Sequence, residues 1–215
     1  MKQDLSDFRK SYDKFAMDES DLYENPLELF REWIFMAELS PLVDECNAMS
    51  ISTIGLDGFP KSRMVLLKKY TEEGFIFYTN YESEKGKSIQ NNPNVCLSFF
   101  WSGLERQVII KGVAEKIAPN LSDGYFESRP VLSQISSIIS PQSQVIPSRA
   151  VLEKAQSEME INLQNQLPVR PDYWGGFLIR PVNIEFWQGR PNRLHDRIRY
   201  SLNEEFEWII ERLAP

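Results

Sequence analysis

Residues 193–200 read RLHDRIRY, and they set the chain's single histidine, His195, beside Asp196 and among Arg193, Arg197 and Arg199. Guanidinium groups hold their protons up to a pKa above about 12, so they act as fixed positive donors and never as bases. Donors of that kind stabilise negative charge as it develops on a bound molecule. An exposed strand of mixed charge has the same composition, and the octet by itself leaves both readings open.

Further segments carry groups of the same kind. In SRMVLLKKY, Arg63 and Lys68 flank an apolar run. Side chains alternate along a strand, so a regular strand turns residues five apart to opposite faces, and a ligand touching both lies along the strand or over its edge. A buried strand with solvated ends is the plainer reading there. YTNYESEKGKSIQNNP leads from Tyr78 and Thr79 in a strand into a helix whose first turn holds Lys85, with Ser83 as its cap. Free backbone N–H groups and that lysine together suit a phosphate, and a solvated helix start is the alternative. LERQV puts Gln107 in a strand, where its carboxamide either reads a heterocyclic edge or faces water. YFESRPVLSQ spaces Tyr125, Arg129 and Ser133 at i, i+4 and i+8. Phenol, guanidinium and hydroxyl suit a phosphate monoester, although Pro130 interrupts the helical period. Gln142 and Ser143 in SPQSQ are weaker signals, and Trp187 in IEFWQG is more often a core aromatic than a cofactor platform. Together these groups provide for at least two anionic moieties on a protein of formal charge −7.

That net charge argues against general binding to nucleic acid or to an anionic membrane surface, both of which are held chiefly by positive charge. No stretch approaches the roughly 20 apolar residues of a membrane helix, and the start, MKQDLSDFRKSYDKF, lacks the apolar core of a secretory signal. The expected location is the cytoplasm. Cys46 and Cys96 form no metal-ligand spacing and no disulfide framework, so reduced thiols and no metal are expected.

The elements that must position these side chains are legible in outline. Residues 1–20 are polar and mixed in charge and read as a flexible arm; residues 21–215, within a chain that is 42% hydrophobic, are long enough for one sizeable core and read as a single domain. Asn25, Pro26 and Glu28 announce a helix carrying Leu27, Phe30, Ile34 and Ala37, which Pro41 ends. From residue 48 the period falls to two. AMSISTIGLDGFPKSRMVLLKKY reads as two strands around Asp57-Gly58, GFIFYTN as a third, and NVCLSFFW with ERQVIIKGVAEKI as another hairpin. A largely helical middle follows, in which Ser148 caps a helix with Val151, Leu152, Ala155, Met159 and Leu163 on one face. WGGFLIRPVNIEFWQG and HDRIRY are again β-like. Short antiparallel strands with helices between them predict a mainly β fold, a small barrel with added helices. No glycine-rich dinucleotide fingerprint, P-loop or internal repeat is present.

RMVLLK, FYTN, LERQV, YFESRP, IEFWQG, RLHDR and the terminal ERLAP follow in the order and at about the spacing seen in the pyridoxamine 5'-phosphate oxidases. The sequence resembles that family from the FRKSY arm to its last residue. The resemblance implies an FMN-binding split β-barrel, a homodimer with an FMN in each of two clefts at the subunit interface. It implies that Arg63, Met64, Val65, Leu66, Leu67 and Lys68 line the flavin, with Tyr78, Thr79, Lys85, Gln107, Gln142, Ser143, Trp187 and Arg197 completing its site. Substrate phosphate falls to Lys68, Tyr125, Arg129 and Ser133. Arg193 and His195 stand over the substrate ring as the catalytic pair, and Arg9 and Tyr12 of the arm cover it. The implied reaction oxidises pyridoxamine or pyridoxine 5'-phosphate to pyridoxal 5'-phosphate by hydride transfer from C4' to flavin N5, and O2 is reduced to hydrogen peroxide. A split-barrel protein that carries flavin or pyridoxal phosphate without turnover is the alternative, and an anion-binding interaction module without a cofactor is a third reading. The family commonly has Arg-Lys where this sequence has Glu84-Lys85, which replaces a cation near the flavin phosphate by an anion, with Lys87 the candidate to offset it.

Overall fold

In the computed structural model, which describes residues 4–8, 10–164 and 166–215, the first long element is a helix, α1 (Pro26–Leu39). Asn25 caps it by accepting a hydrogen bond from the Leu27 N–H at 3.0 Å, and Pro26 occupies the first turn, where a missing N–H costs nothing. Its buried face is wider than the predicted stripe, because Leu29 and Trp33 join Leu27, Phe30 and Ala37. Phe30 meets Phe99 edge-on at 5.3 Å and Trp33 meets Phe186 at 5.2 Å, so aromatic packing fixes this helix to strands.

The predicted strands follow. β1 (Ala48–Ile54) and β2 (Pro60–Leu66) flank the turn at Gly58, whose φ of 82° is the left-handed conformation that glycine adopts without strain. β3 (Lys69–Thr71) pairs with β4 (Gly74–Asn80), and a helix, α2 (Glu84–Asn91), leads to β5 (Asn94–Trp101) and β6 (Arg106–Lys116). The middle holds α3 (Pro119–Ser128), α4 (Val131–Ile139) and α5 (Arg149–Leu163). On α5, Leu152, Ala155, Met159 and Leu163 are half-buried as predicted, but Val151 is exposed and the Ser148 side chain makes no capping bond. β7 (Trp174–Gln188), β8 (Asp196–Leu202) and β9 (Trp208–Arg212) close the chain. Hydrogen-bonded neighbours run β2-β1-β5-β6-β7-β4-β3, with β8 on β7 and β9 on β8. Among the described residues no helix is long and apolar enough to cross a membrane, and no cluster of His, Cys, Asp and Glu suits a metal ion.

The chain packs as two units. The first comprises residues up to Ser50, Cys96–Lys111 and Pro181–Pro215; the second comprises Ile51–Val95 and Gly112–Arg180. In the first, Phe30, Trp33, Phe99, Phe186 and Tyr200 are buried together. In the second, Phe77 stacks on Phe177 and Phe126 meets Trp174 edge-on. Each unit carries its own group of the residues singled out above.

Candidate functional site

In the second unit, β2 and α2 bring Arg63 and Lys85 to one cavity of about 500 Å³, with Gln142 and Ser143 from the loop after α4. Arg63 is half-buried and spends one guanidinium nitrogen on the Thr53 hydroxyl (2.8 Å) and the Lys61 carbonyl (2.7 Å). Lys85 donates to Gln142 Oε1 at 2.9 Å and to Thr79 Oγ1 at 3.2 Å. Among the described residues neither cation has a carboxylate partner within ion-pair distance, and burial, aided by repulsion from Arg63, pushes the Lys85 ammonium down to about 8. Two cations held together without a counter-ion make a receptor for an anion. α2 can start this close to the end of β4 because Gly86 has no side chain: a Cβ there would strike the Tyr81 carbonyl. Ser83 caps the helix, accepting from the Gly86 N–H at 3.2 Å, as its position in the sequence predicts.

A second group lies in the same unit. Tyr78 stacks on Tyr125 at 3.9 Å and on Trp174 at 5.6 Å, and the Arg129 guanidinium lies over the Trp174 ring at 4.8 Å. Pro130 separates α3 from α4, so Arg129 falls at the break rather than within a continuous helix. It therefore donates to Ser137 Oγ at 2.7 Å, one helical turn beyond the predicted Ser133. Gln134, buried in α4, holds the Arg129 carbonyl at 2.8 Å. A cavity of about 380 Å³ is bounded by Ser137 and Trp174, both in contact with Arg129, and shares Gln142 with the cavity at Lys85.

The opposed-faces expectation for Arg63 and Lys68 does not apply. β2 ends at Leu66, and Lys68 sits in the break before β3, exposed, with its N–H on the Ile76 carbonyl at 2.9 Å. Along the same segment Leu67 is buried and Met64 is exposed, while Val65 and Leu66 are half-buried.

In the first unit, β7 and β8 pair Trp187 with Arg197, and the Trp187 ring lies 4.7 Å from His195. Tyr12 of the arm completes this aromatic group, 5.7 Å from Trp187 and 5.9 Å from His195. His195 Nδ1 accepts the Arg190 N–H at 3.0 Å, which leaves the neutral ring's proton on Nε2. Burial and the neighbouring Arg193 hold its pKa below the ordinary value, against the opposing pull of Asp196. Arg193 itself is exposed, its side chain makes no hydrogen bond or ion pair among the described residues, and its φ of 63° follows an Asn192 at 57°. Consecutive left-handed residues without glycine are costly, a cost that recurs where a site needs one side chain aimed. Arg197 is bound to Glu185 (2.8 Å) and the Ala214 carbonyl (2.9 Å), and Gln107 is half-buried on β6. Arg9 lies outside the described residues.

Sequence reading missed what holds the arm. Glu105, 1% exposed and with a left-handed φ of 55°, accepts the backbone N–H groups of Asp13 (2.9 Å) and Lys14 (3.2 Å). Asp196 accepts the Met17 N–H at 3.1 Å and is paired with Arg212 at 2.9 Å. Gly189 leaves room for Tyr12, whose Cβ would lie 2.8 Å from a Cβ there. Because hydrogen bonds to an ionised acceptor are about twice as strong as neutral ones, Glu105→Gln is expected to loosen residues 10–17. Tryptic cleavage after Lys10 and Lys14 should quicken about fivefold or more, by opening of this segment alone; an unchanged rate would show that Glu105 does not fasten the arm.

Over 96% of this chain and the whole of the other, the structure is similar to PhzG from Burkholderia lata, solved with tetrahydrophenazine-1-carboxylic acid, at a TM-score of 0.87 and 26% identity. The strand order and that likeness define the class: a mainly β, split-barrel protein. Residues 35–162 match the family model described as pyridoxamine 5'-phosphate oxidase, and residues 174–215 match the pyridoxine 5'-phosphate oxidase C-terminal dimerisation region. A pyridoxine/pyridoxamine 5'-phosphate oxidase of Flavobacterium psychrophilum is 58% identical over 99% of this chain and all of its own, and that of Flavobacterium johnsoniae is 57% identical over 98% and 99%. The chain belongs to the pyridoxamine 5'-phosphate oxidase family.

Proposed function

We propose that the protein oxidises pyridoxamine 5'-phosphate and pyridoxine 5'-phosphate to pyridoxal 5'-phosphate in the cytoplasm, as a homodimer with FMN at the subunit interface. For the alcohol, substrate and O2 give aldehyde and hydrogen peroxide; for the amine, water is also consumed and ammonia released. The observation that carries this reading is the pair of adjoining receptors in the second unit, Arg63 with Lys85 and Arg129 with Tyr125 and Ser137, one for each phosphate that the reaction brings together. The unpaired cations at the 500 Å³ cavity fit the phosphate of FMN. Bound there, the flavin supplies the hydride acceptor that O2 reoxidises. Arg63 and Lys85 hold the cofactor phosphate; Tyr125 and Arg129 hold that of the substrate; Trp187 and Tyr12 exclude water beside His195. The test is direct: the purified protein should be yellow and should release peroxide with pyridoxamine 5'-phosphate. A colourless protein that yields no peroxide after FMN is added would overturn the reading.

Arg193 and His195 divide the remaining work. A neutral ring with its proton on Nε2 donates a hydrogen bond to substrate, while the exposed guanidinium of Arg193 supplies positive charge. Arg193→Leu is expected to lower kcat/KM 10- to 1000-fold, about 1.4 to 4 kcal/mol, with flavin retained. His195→Ala should cost on the order of 1 kcal/mol, as for one replaceable hydrogen bond. Since the His195 pKa lies below its ordinary value, protonation of the ring sets in only below about pH 6.5, and any acidic limb it causes belongs there. Loss of turnover in His195→Ala with substrate and flavin still bound would instead show that the imidazole does more than donate one hydrogen bond.

A further inference from the structure

The cavity that holds Arg63 and Lys85 has one acidic lining residue, Glu84, in the first turn of α2. A carboxylate at a helix N-terminus favours the helix but opposes any anion that enters the cavity. The Glu84 carboxylate is not free: Lys61 of β2, which lines the same cavity, is ion-paired with it and also lies 3.0 Å from Asp57. Lys87, the candidate from sequence, is exposed and is not among the cavity's lining residues. With Lys61 present the lining carries three cations against one anion; without it, two against one, so half of the net positive charge depends on a residue outside the recognised motif.

On the reading that this cavity receives the cofactor's phosphate, we propose that Lys61 is a positioning residue for that phosphate, acting through Glu84. It draws the carboxylate to itself, so that a phosphate monoester meets Arg63 and Lys85 without an opposing anion. An ion pair with both partners part-exposed adds little to stability, and its effect is felt by the ligand.

The proposal is tested by titrating the flavin-free protein with FMN and, separately, with riboflavin, which lacks the phosphate, following flavin fluorescence. Lys61→Ala should raise the FMN dissociation constant tenfold or more and leave that of riboflavin within about twofold. Lys61→Ala/Glu84→Gln should return FMN affinity to near the wild-type value, because the carboxylate that Lys61 masks is gone. Lys61→Gln, closer in length, guards against loss of packing and should behave as Lys61→Ala does. An unchanged FMN constant, an equal loss for riboflavin, or a double variant as weak as Lys61→Ala would each overturn the role of Lys61. A wild-type protein that binds FMN no better than riboflavin would overturn the phosphate reading of the cavity, and with it the inference.

Discussion

Arg129→Ala is expected to lower kcat/KM for pyridoxamine 5'-phosphate about 100-fold, roughly 3 kcal/mol, chiefly through KM, with flavin content unchanged. The guanidinium is poised before substrate arrives. Trp174 supports its face, Ser137 takes one N–H, and Gln134 holds its backbone carbonyl, so little entropy remains to be lost on binding. Burial lowers its pKa, but a guanidinium starts high enough to stay charged throughout the working range. Charge-assisted bonds of a guanidinium to phosphate are worth about 1.5 to 3 kcal/mol each way they are lost, and Ala removes them together with the stack on Trp174. Arg129→Lys should recover only part, since an ammonium lacks the planar fork. A KM that does not move in Arg129→Ala would place the substrate phosphate elsewhere.

The second large effect is a pH dependence of cofactor binding. With its pKa near 8, Lys85 is mostly protonated at pH 7 and mostly neutral at pH 9 in the empty cavity. A phosphate dianion raises that pKa on binding, so affinity for FMN should fall as pH rises above about 8, approaching tenfold per unit. Below about pH 6 the phosphate itself gains a proton, which confines the tightest binding to the interval between. Lys85→Met should weaken FMN binding at pH 7 by about 30- to 150-fold, or 2 to 3 kcal/mol, and abolish the alkaline step. Lys85→Arg should keep the affinity and also lose the step, because the guanidinium does not titrate. The flavin-free protein behaves in the opposite sense. A lysine whose folded pKa is depressed binds fewer protons folded than unfolded between about 8 and 10.5, so this group's contribution to stability rises with pH across that window. FMN affinity that is flat from pH 7 to 9 would remove Lys85 from the phosphate site.

Local rules made much of this molecule legible. Asn25-Pro26 and the Asp57-Gly58 turn announced a helix start and a pair of strands that the structure reproduces, and the apolar run GFIFYTN is β4 to the residue. The motif segments also pointed to the cations now found at Lys85 and Arg129. What stayed hidden depends on partners distant in sequence. Glu105 meets the arm across 92 positions through backbone N–H groups, which no residue pattern encodes. The Lys61–Glu84 pair joins a strand to a helix, and neither residue alone differs from an ordinary surface charge. Periodicity failed where the backbone breaks: at Leu67–Lys68, where β2 stops, and at Arg129–Pro130, where the change of helix turns the arginine to Ser137.

The manner in which the arm is fastened bears on how the chain is made. Met17 is held by Asp196 and by Arg212, whose guanidinium donates to the Met17 carbonyl at 3.1 Å and pairs with Glu19 at 2.7 Å. Leu213 and Ala214 in turn bond to the backbone and side chain of Arg197. Residues 12–19 thus dock on residues some 180 to 195 positions later, and synthesis must pass those before the arm can settle. The second unit draws only on residues between Ile51 and Arg180, so its elements are available while the arm still waits. During translation the aromatic group around His195 therefore remains open after the cationic cavities have their residues, and it closes only once the residues that hold Tyr12 and Met17 have been made.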